Sequence, residues 1–272
     1  MRRARATRTF APSIAVRPGA KHLFTASSVA RPVGRVVGVI GGSGLYEPAV
    51  FGRGKEQLVE TPYGVPSDVM TLVPFRDLTI AFLLRHGRDH EIAPHRLNHP
   101  ANLWALREVG AEVVLAASST GSLKRAIRPG TFVVPHDYLS PWDIPTIHEQ
   151  GVTHVTPELD ADLRRALVAA ARTGRATVRA RGVYVQALGP RLETKAEIAM
   201  FAKFGDIVGM TMASEATIAR ELGLRYASLC SVDNYAHGVA GAPVTFDAIR
   251  ETQRKTAEGV RAILRVALEA LA

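Results

Sequence analysis

The chain holds a single cysteine, Cys230, among 272 residues. It therefore cannot form an internal disulfide framework or a cysteine-based metal site, and a reducing, cytoplasmic setting suits it. No apolar run approaches the roughly 18 residues that a membrane-crossing helix needs, so no membrane partner is expected. Aromatic residues make up only 6% of the chain, although 47% of it is hydrophobic and 22% charged. Aliphatic side chains must then build the core, and there are enough of them for one sizeable domain without staples. Acids are missing altogether from residues 1–35, which carry eight basic residues. The remainder holds 26 basic against 25 acidic residues, a net +1 of the total +9. A nearly neutral folded part excludes a broad polyanion-binding face, and with it a nucleic-acid partner. Three catalytic or cofactor signatures are also lacking: G-x-G-x-x-G, G-x-S-x-G and H-E-x-x-H.

What is present begins at Val36. Residues 1–34 are rich in Arg, Ala, Ser and Thr without a clear period and read as a disordered basic tail. An organelle presequence and a misassigned start are alternative readings of the same composition. Residues 35–272 read as one domain. Strand-like apolar runs occur at Val36–Ile40, Leu78–Leu84, Val113–Ala117, Phe132–Pro135, Val183–Leu188, Ile207–Met212 and Tyr226–Val232. Helical spacing falls between them, at Pro100–Val109, Pro157–Arg172, Thr194–Phe204, Ser214–Leu222 and Phe246–Leu271. This alternation predicts an α/β fold with a central mixed sheet and helices on both faces. Ligands in such folds sit at the carboxyl ends of strands.

The polar clusters stand at those ends. Val36–Ile40 runs into Gly41-Gly42-Ser43-Gly44, where glycines let backbone amides and the Ser43 hydroxyl approach an anion. Leu84 runs into Arg85-His86-Gly87, Ala117 into Ser118-Ser119-Thr120-Gly121-Ser122, and Leu188 into Gly189-Pro190-Arg191-Leu192-Glu193. Val208 runs into Gly209-Met210-Thr211, and Val232 into Asp233-Asn234. One guanidinium with several hydroxyls and glycine amides suits a tetrahedral oxyanion. A carboxylate and a carboxamide suit the donor and acceptor edge of a heterocycle, and Met210 offers a flexible apolar surface for a sugar.

These motifs, in this order and spacing, resemble the purine nucleoside phosphorylase and methylthioadenosine phosphorylase family. Thr61-Pro62-Tyr63-Gly64-Val65-Pro66-Ser67 and Ala101-Asn102-Leu103-Trp104-Ala105-Leu106 fit its pattern too, and the resemblance runs from about Val36 to the C-terminus. It implies a single-domain nucleoside phosphorylase fold, usually assembled as a homotrimer. It also implies that inorganic phosphate, as co-substrate and without metal or organic cofactor, displaces a purine from C1′ of a nucleoside. Ser43, Arg85, His86, Ser118, Ser119 and Thr211 would hold phosphate, and Met210 would pack on the ribose.

By the same resemblance Glu193 and Asn234 match the base-reading residues of enzymes acting on 6-oxopurines. A carboxylate accepts from N1–H, and a carboxamide donates to O6. Adenine would instead meet Glu193 lone pair to lone pair. Asp233 is adjacent, and a one-residue shift would reverse the assignment; matching Tyr226-Ala227-Ser228 to the family favours Asn234. Ala236 stands where adenine-type relatives carry a second aspartate. Gly151-Val152-Thr153-His154 resembles the segment that lends a histidine, here His154, to a neighbour's 5′ pocket. Phe246 near the 5′ end favours an apolar substituent such as methylthio. The combined expectation is a methylthioinosine-type phosphorylase, with inosine and guanosine as further substrates and methylthioadenosine as the alternative.

Plainer readings accompany these. His86, His90, His95 and His99 fall within 14 residues, but without a zinc motif they read as one phosphate neighbour and three surface or interface residues. Ser118 and Ser119 also suit packing after a strand, Met210 plain core, and His154 an ordinary loop. Glu193 also suits a helix N-terminus. A non-catalytic nucleoside sensor and a water-using nucleoside hydrolase are the rival functions.

Overall fold

The computed structural model of the chain describes residues 32, 34–42, 44–142, 144–148, 151, 153–241 and 243–272. Most of the expected tail, together with Ser43 and Val152, lies outside these residues.

The β-branched run at Val36 forms strand β1 (Arg35–Gly41), buried on both faces as a continuous apolar run should be. It pairs in parallel with β4 (Leu78–Leu84) on one side and with β5 (Ala111–Ser122) on the other. Beyond β4, the strands β3 (Met70–Phe75) and β2 (Lys55–Gln57) add antiparallel to the edge. The strand β5 is the hub. It also pairs in parallel with β11 (Arg225–Tyr235) and antiparallel with β10 (Ile207–Gly209). One branch continues through β10 to β9 (Val183–Gln186) and β7 (Asp137–Leu139). The other continues through β11 to β6 (Phe132–Val133) and β8 (Val178–Arg179). The result is a mixed sheet, as the alternation predicts.

Four strands escape the sequence reading. The segments β2, β7 and β8 are two or three residues long, with polar or charged residues that show no apolar period. The strand β3 contains Pro74, which argues against a central strand. Its place explains the exception: β2 pairs with β3 only through Leu72, so Pro74 needs no donor on that side.

Four of the five α-helices among the described residues start at a side-chain cap. Asn98 accepts from the Ala101 amide to open α1 (His99–Glu108), and Asp160 accepts from Asp162 and Leu163 to open α2 (Ala161–Thr173). The Asp160 cap moves the start of α2 later than the expected Pro157. Thr194 and Glu197 form a capping box on α3 (Lys195–Phe204). Thr211 is the N-cap residue of α4 (Met212–Glu221), and Thr245 caps α5 (Phe246–Leu271). One face of the sheet is covered by α1 and α4, through Leu103, Leu106, Met212 and Ala216. The opposite face is covered by α2 and α5, through Leu163, Leu167, Ile263 and Leu264. A third, smaller cluster joins Ile198 and Phe201 of α3 to Val185 and Val208. No helix among the described residues is long and apolar enough to cross a membrane.

Leu264 is fully buried where α5 meets α2 and the sheet. Leu264→Ala should lower stability by about 2–5 kcal/mol. Urea unfolding should then show a lower midpoint at an unchanged m-value.

Candidate active site

The ends of β4, β5, β10 and β11 and the start of α5 surround a cavity of about 950 Å³. Its polar wall begins with Arg85, which is only 2% exposed although it carries a full charge. Burial alone would lower its pKa, but the Glu215 carboxylate outweighs burial and raises it. Glu215, on α4, accepts from Nε and Nη2 of Arg85 (the latter at 3.0 Å), and from the Tyr226 hydroxyl at 2.7 Å. Nη1 of Arg85 donates to the Ala117 carbonyl at 2.7 Å. Among the described residues these bonds take three of the five guanidinium N–H groups and leave one on each terminal nitrogen. Burial pushes the Glu215 carboxyl up, but Arg85 draws it below its ordinary value, so the pair stays ionised.

The glycine loop is shaped by this arginine. A Cβ on Gly42 would fall 2.1 Å from Nη1 of Arg85 and 2.7 Å from the Ala117 carbonyl oxygen. Only glycine lets the guanidinium lie against the loop. Glu215 itself had no motif to announce it. Its one signal is a carboxylate on the apolar face of Met212-Ala213-Ser214-Glu215-Ala216, where a partner cation is required.

Beside Arg85, His86 lines the cavity. Burial, then the Arg85 charge, lowers its pKa to about 4, so the ring is neutral. Its Nδ1 lies 2.8 Å from the Ile92 carbonyl, which can only accept, so Nδ1 carries the hydrogen and Nε2 a lone pair. The ring packs against His90 at 4.5 Å, and His90 meets Tyr46 edge-on at 5.4 Å. From α4, Thr211 presents a hydroxyl with no capping bond, while its backbone N–H donates to the Tyr184 hydroxyl at 3.1 Å.

The two adjacent serines separate, because successive side chains of a strand point to opposite faces. Ser119 lines the cavity and accepts from Nε2 of Gln253 at 3.0 Å. Ser118 does not line it. Its hydroxyl sits 3.3 Å from that of Ser228, in the seam with β11. This corrects the expectation that both serines hold an anion. Ser43 lies outside the described residues.

Across the cavity stand Glu193, Asn234 and Met210. Glu193 is buried, and burial raises its carboxyl pKa. The capping box on α3 uses Thr194 and Glu197, so the helix has no need of Glu193, which argues against its plainer reading. Asn234 and Asp233 part company at a β-bulge: Val232 is opposite Thr120, and Asn234 is already opposite Gly121. Asp233 is the extra residue and is turned inward at 1% exposure, whereas Asn234 faces the cavity. Of these two neighbours, Asn234 is the one that lines the cavity. Met210 lies so close to Gly189 that a Cβ there would come within 2.5 Å of its sulfur. Phe246, the first residue of α5, lines the opening with Val244 and Ile249. His237, unremarked in the sequence, also lines the wall, with Nδ1 3.3 Å from the Glu193 carbonyl.

Two histidines depart from expectation or stand apart. His99 is not at the surface: it is buried, its Nδ1 has no hydrogen-bond partner, and burial lowers its pKa to about 4. His154 is exposed and does not line the cavity of its own chain. Among the described residues no group of three or more His, Cys, Asp or Glu side chains could hold a metal ion.

Comparison with known proteins gives consistent results. The family model described as the phosphorylase superfamily matches residues 36–269. A probable 6-oxopurine nucleoside phosphorylase from Archaeoglobus fulgidus is 42% identical over 237 residues, 87% of this chain and 96% of that protein. A probable S-methyl-5′-thioinosine phosphorylase from Methanothermobacter thermautotrophicus is 40% identical, over 79% of this chain and 77% of that protein. Among solved structures, the methylthioadenosine phosphorylase of Schistosoma mansoni in complex with adenine superposes with a TM-score of 0.80 at 32% identity, covering 87% of this chain and 92% of the other.

Removing Glu215 would strand the Arg85 charge in the interior. Glu215→Ala should cost about 3–5 kcal/mol, measured by chemical denaturation. A cost below about 1 kcal/mol would mean that the pair does not organise the site.

Proposed function

The chain belongs to the phosphorylase superfamily, and we propose that it is a purine nucleoside phosphorylase acting on 6-oxopurine nucleosides, S-methyl-5′-thioinosine foremost. The observation that carries this reading is the pairing of Glu193 with Asn234 across one cavity from Arg85. Phosphate would be held by the free N–H groups of Arg85, by His86, Ser119 and Thr211, and by Ser43 of the glycine loop. Met210 would lie under the ribose. Breaking the glycosidic bond leaves positive charge on the sugar and negative charge on the purine. A phosphate dianion beside the anomeric carbon steadies the first, and Asn234 with Glu193 steadies the second. The nucleophile is phosphate itself, so no covalent enzyme intermediate and no organic cofactor is invoked.

The apolar collar of Val244, Phe246 and Ile249 favours a 5′-methylthio group over a hydroxyl. In a homotrimer, His154 would complete the 5′ pocket of a neighbouring subunit. Methylthioadenosine is the second reading, supported by the Schistosoma relative. Glu193 weighs against it, since it would face the N1 lone pair of adenine.

A panel of inosine, guanosine, adenosine, methylthioinosine and methylthioadenosine, each with and without phosphate, tests the proposal. Base release should depend on phosphate or arsenate and should be fastest with methylthioinosine. Release that ignores phosphate would point to a hydrolase, and no release at all to a sensor. Asn234→Asp should shift relative kcat/KM toward 6-aminopurines by about 1–3 kcal/mol of discrimination. Unchanged relative values would remove Asn234 from base recognition.

A further inference from the structure

His237 lines the cavity wall, and the chemistry above gives it no task. It stands two residues past the end of β11 and meets the segment ahead of α3. Its Nδ1 lies 3.3 Å from the Glu193 carbonyl oxygen. A carbonyl can only accept, so in the neutral ring Nδ1 carries the hydrogen and Nε2 a lone pair. Among the described residues the ring makes this one hydrogen bond, so that lone pair is unused. The ring thus hangs from the backbone of Glu193, and its far side is an acceptor.

Three polar side chains gather at this end of the cavity: Glu193, Asn234 and His237. Asn234 donates one amide hydrogen to the Tyr235 carbonyl at 2.8 Å and keeps the other. With that hydrogen on O6 and the Glu193 carboxylate on N1–H, the base edge still to be met is C2. In hypoxanthine C2 carries only hydrogen. In guanine it carries an amino group with two N–H donors. A carboxylate oxygen of Glu193 can take one of them, and the second needs an acceptor of its own. On its other side His237 borders a smaller cavity of about 510 Å³, where Lys124 and Lys195 also stand. Ammonium groups only donate, and Lys124 already donates to the Ala202 carbonyl. Neither lysine can serve an amino group, whereas Nε2 of His237 can.

We propose that His237 is a specificity-determining residue that accepts a hydrogen bond from a 2-amino group. At an equal 5′ group, the site then favours 2-amino-6-oxopurine nucleosides over those with hydrogen at C2. The proposal rests on the phosphorylase reading given above and deepens it, since it concerns a base edge that Glu193 and Asn234 leave open. The discrimination comes from the amino N–H: paired in the site it repays its loss of water, and unpaired it does not.

The test is kcat/KM for guanosine and inosine, at saturating phosphate and one fixed pH, in wild type, His237→Ala and His237→Gln. The two nucleosides share a ribose, so their ratio isolates the base. Guanosine should be the better substrate of wild type. His237→Ala should lower the guanosine-to-inosine ratio about fivefold, the size of one ordinary hydrogen bond. Glutamine can donate to the Glu193 carbonyl and still accept, so His237→Gln should stay within about twofold of wild type. A merely structural role, through a loosened Glu193, would slow both nucleosides and leave their ratio alone. An unchanged ratio in His237→Ala overturns the proposal, as does an equal fall in both variants. Guanosine turned over no better than inosine by wild type overturns it without any variant. Absence of phosphate-dependent base release from either nucleoside would instead refute the phosphorylase reading, so the two failures are distinguishable.

Discussion

The buried ion pair between Arg85 and Glu215 is the constraint from which the site follows. A guanidinium at 2% exposure is tolerable only because a carboxylate on α4 meets it, with the Tyr226 hydroxyl and the Ala117 carbonyl filling the remaining geometry. That pair ties the end of β4 to α4 and β11. It forces glycine at position 42, and the Arg85 charge adds to the burial that keeps His86 neutral. Among the described residues, two guanidinium hydrogens are left without a protein acceptor on a side chain that lines the cavity. Arg85 is thus fixed in place before any anion arrives, and an anion gains its donors without ordering a flexible side chain.

The part of the cavity wall that carries Asn234 and Glu193 is built on different principles. A bulge in β11, not an ion pair, aims Asn234 outward and Asp233 inward. Glu193 waits just ahead of a helix whose cap is already complete. The two halves meet along β5, which carries Ser119 at one end of the cavity and Gly121 opposite Asn234. The cavity wall can therefore be read as two independent sets of side chains joined by one strand.

Much of this was legible before any coordinates. The apolar runs placed the major strands, and five helices followed from their helical spacing. The polar clusters at strand ends were brought together as the α/β pattern requires. The failures have physical causes. Short edge strands such as Lys55–Gln57 carry no period, and Pro74 is compatible with β3 because pairing with β2 stops before it. Neighbouring serines look alike in a sequence, yet strand alternation gives Ser119 to the cavity and Ser118 to the seam. Glu215 was invisible because its role depends on a residue 130 positions away. His99 looked like one of a surface group but is packed inside.

The long strand β5 has one more effect. Backbone rise along a strand is about 3.3 Å per residue, so the two steps from Ser119 to Gly121 span roughly 7 Å. Under the proposed reading, the spacing between the attacking oxyanion and the leaving ring would be written into a peptide ruler, not into side chains. Substitutions that retune which ring is accepted leave that ruler untouched. Under the proposed reading, a change of purine would leave the line of attack in place.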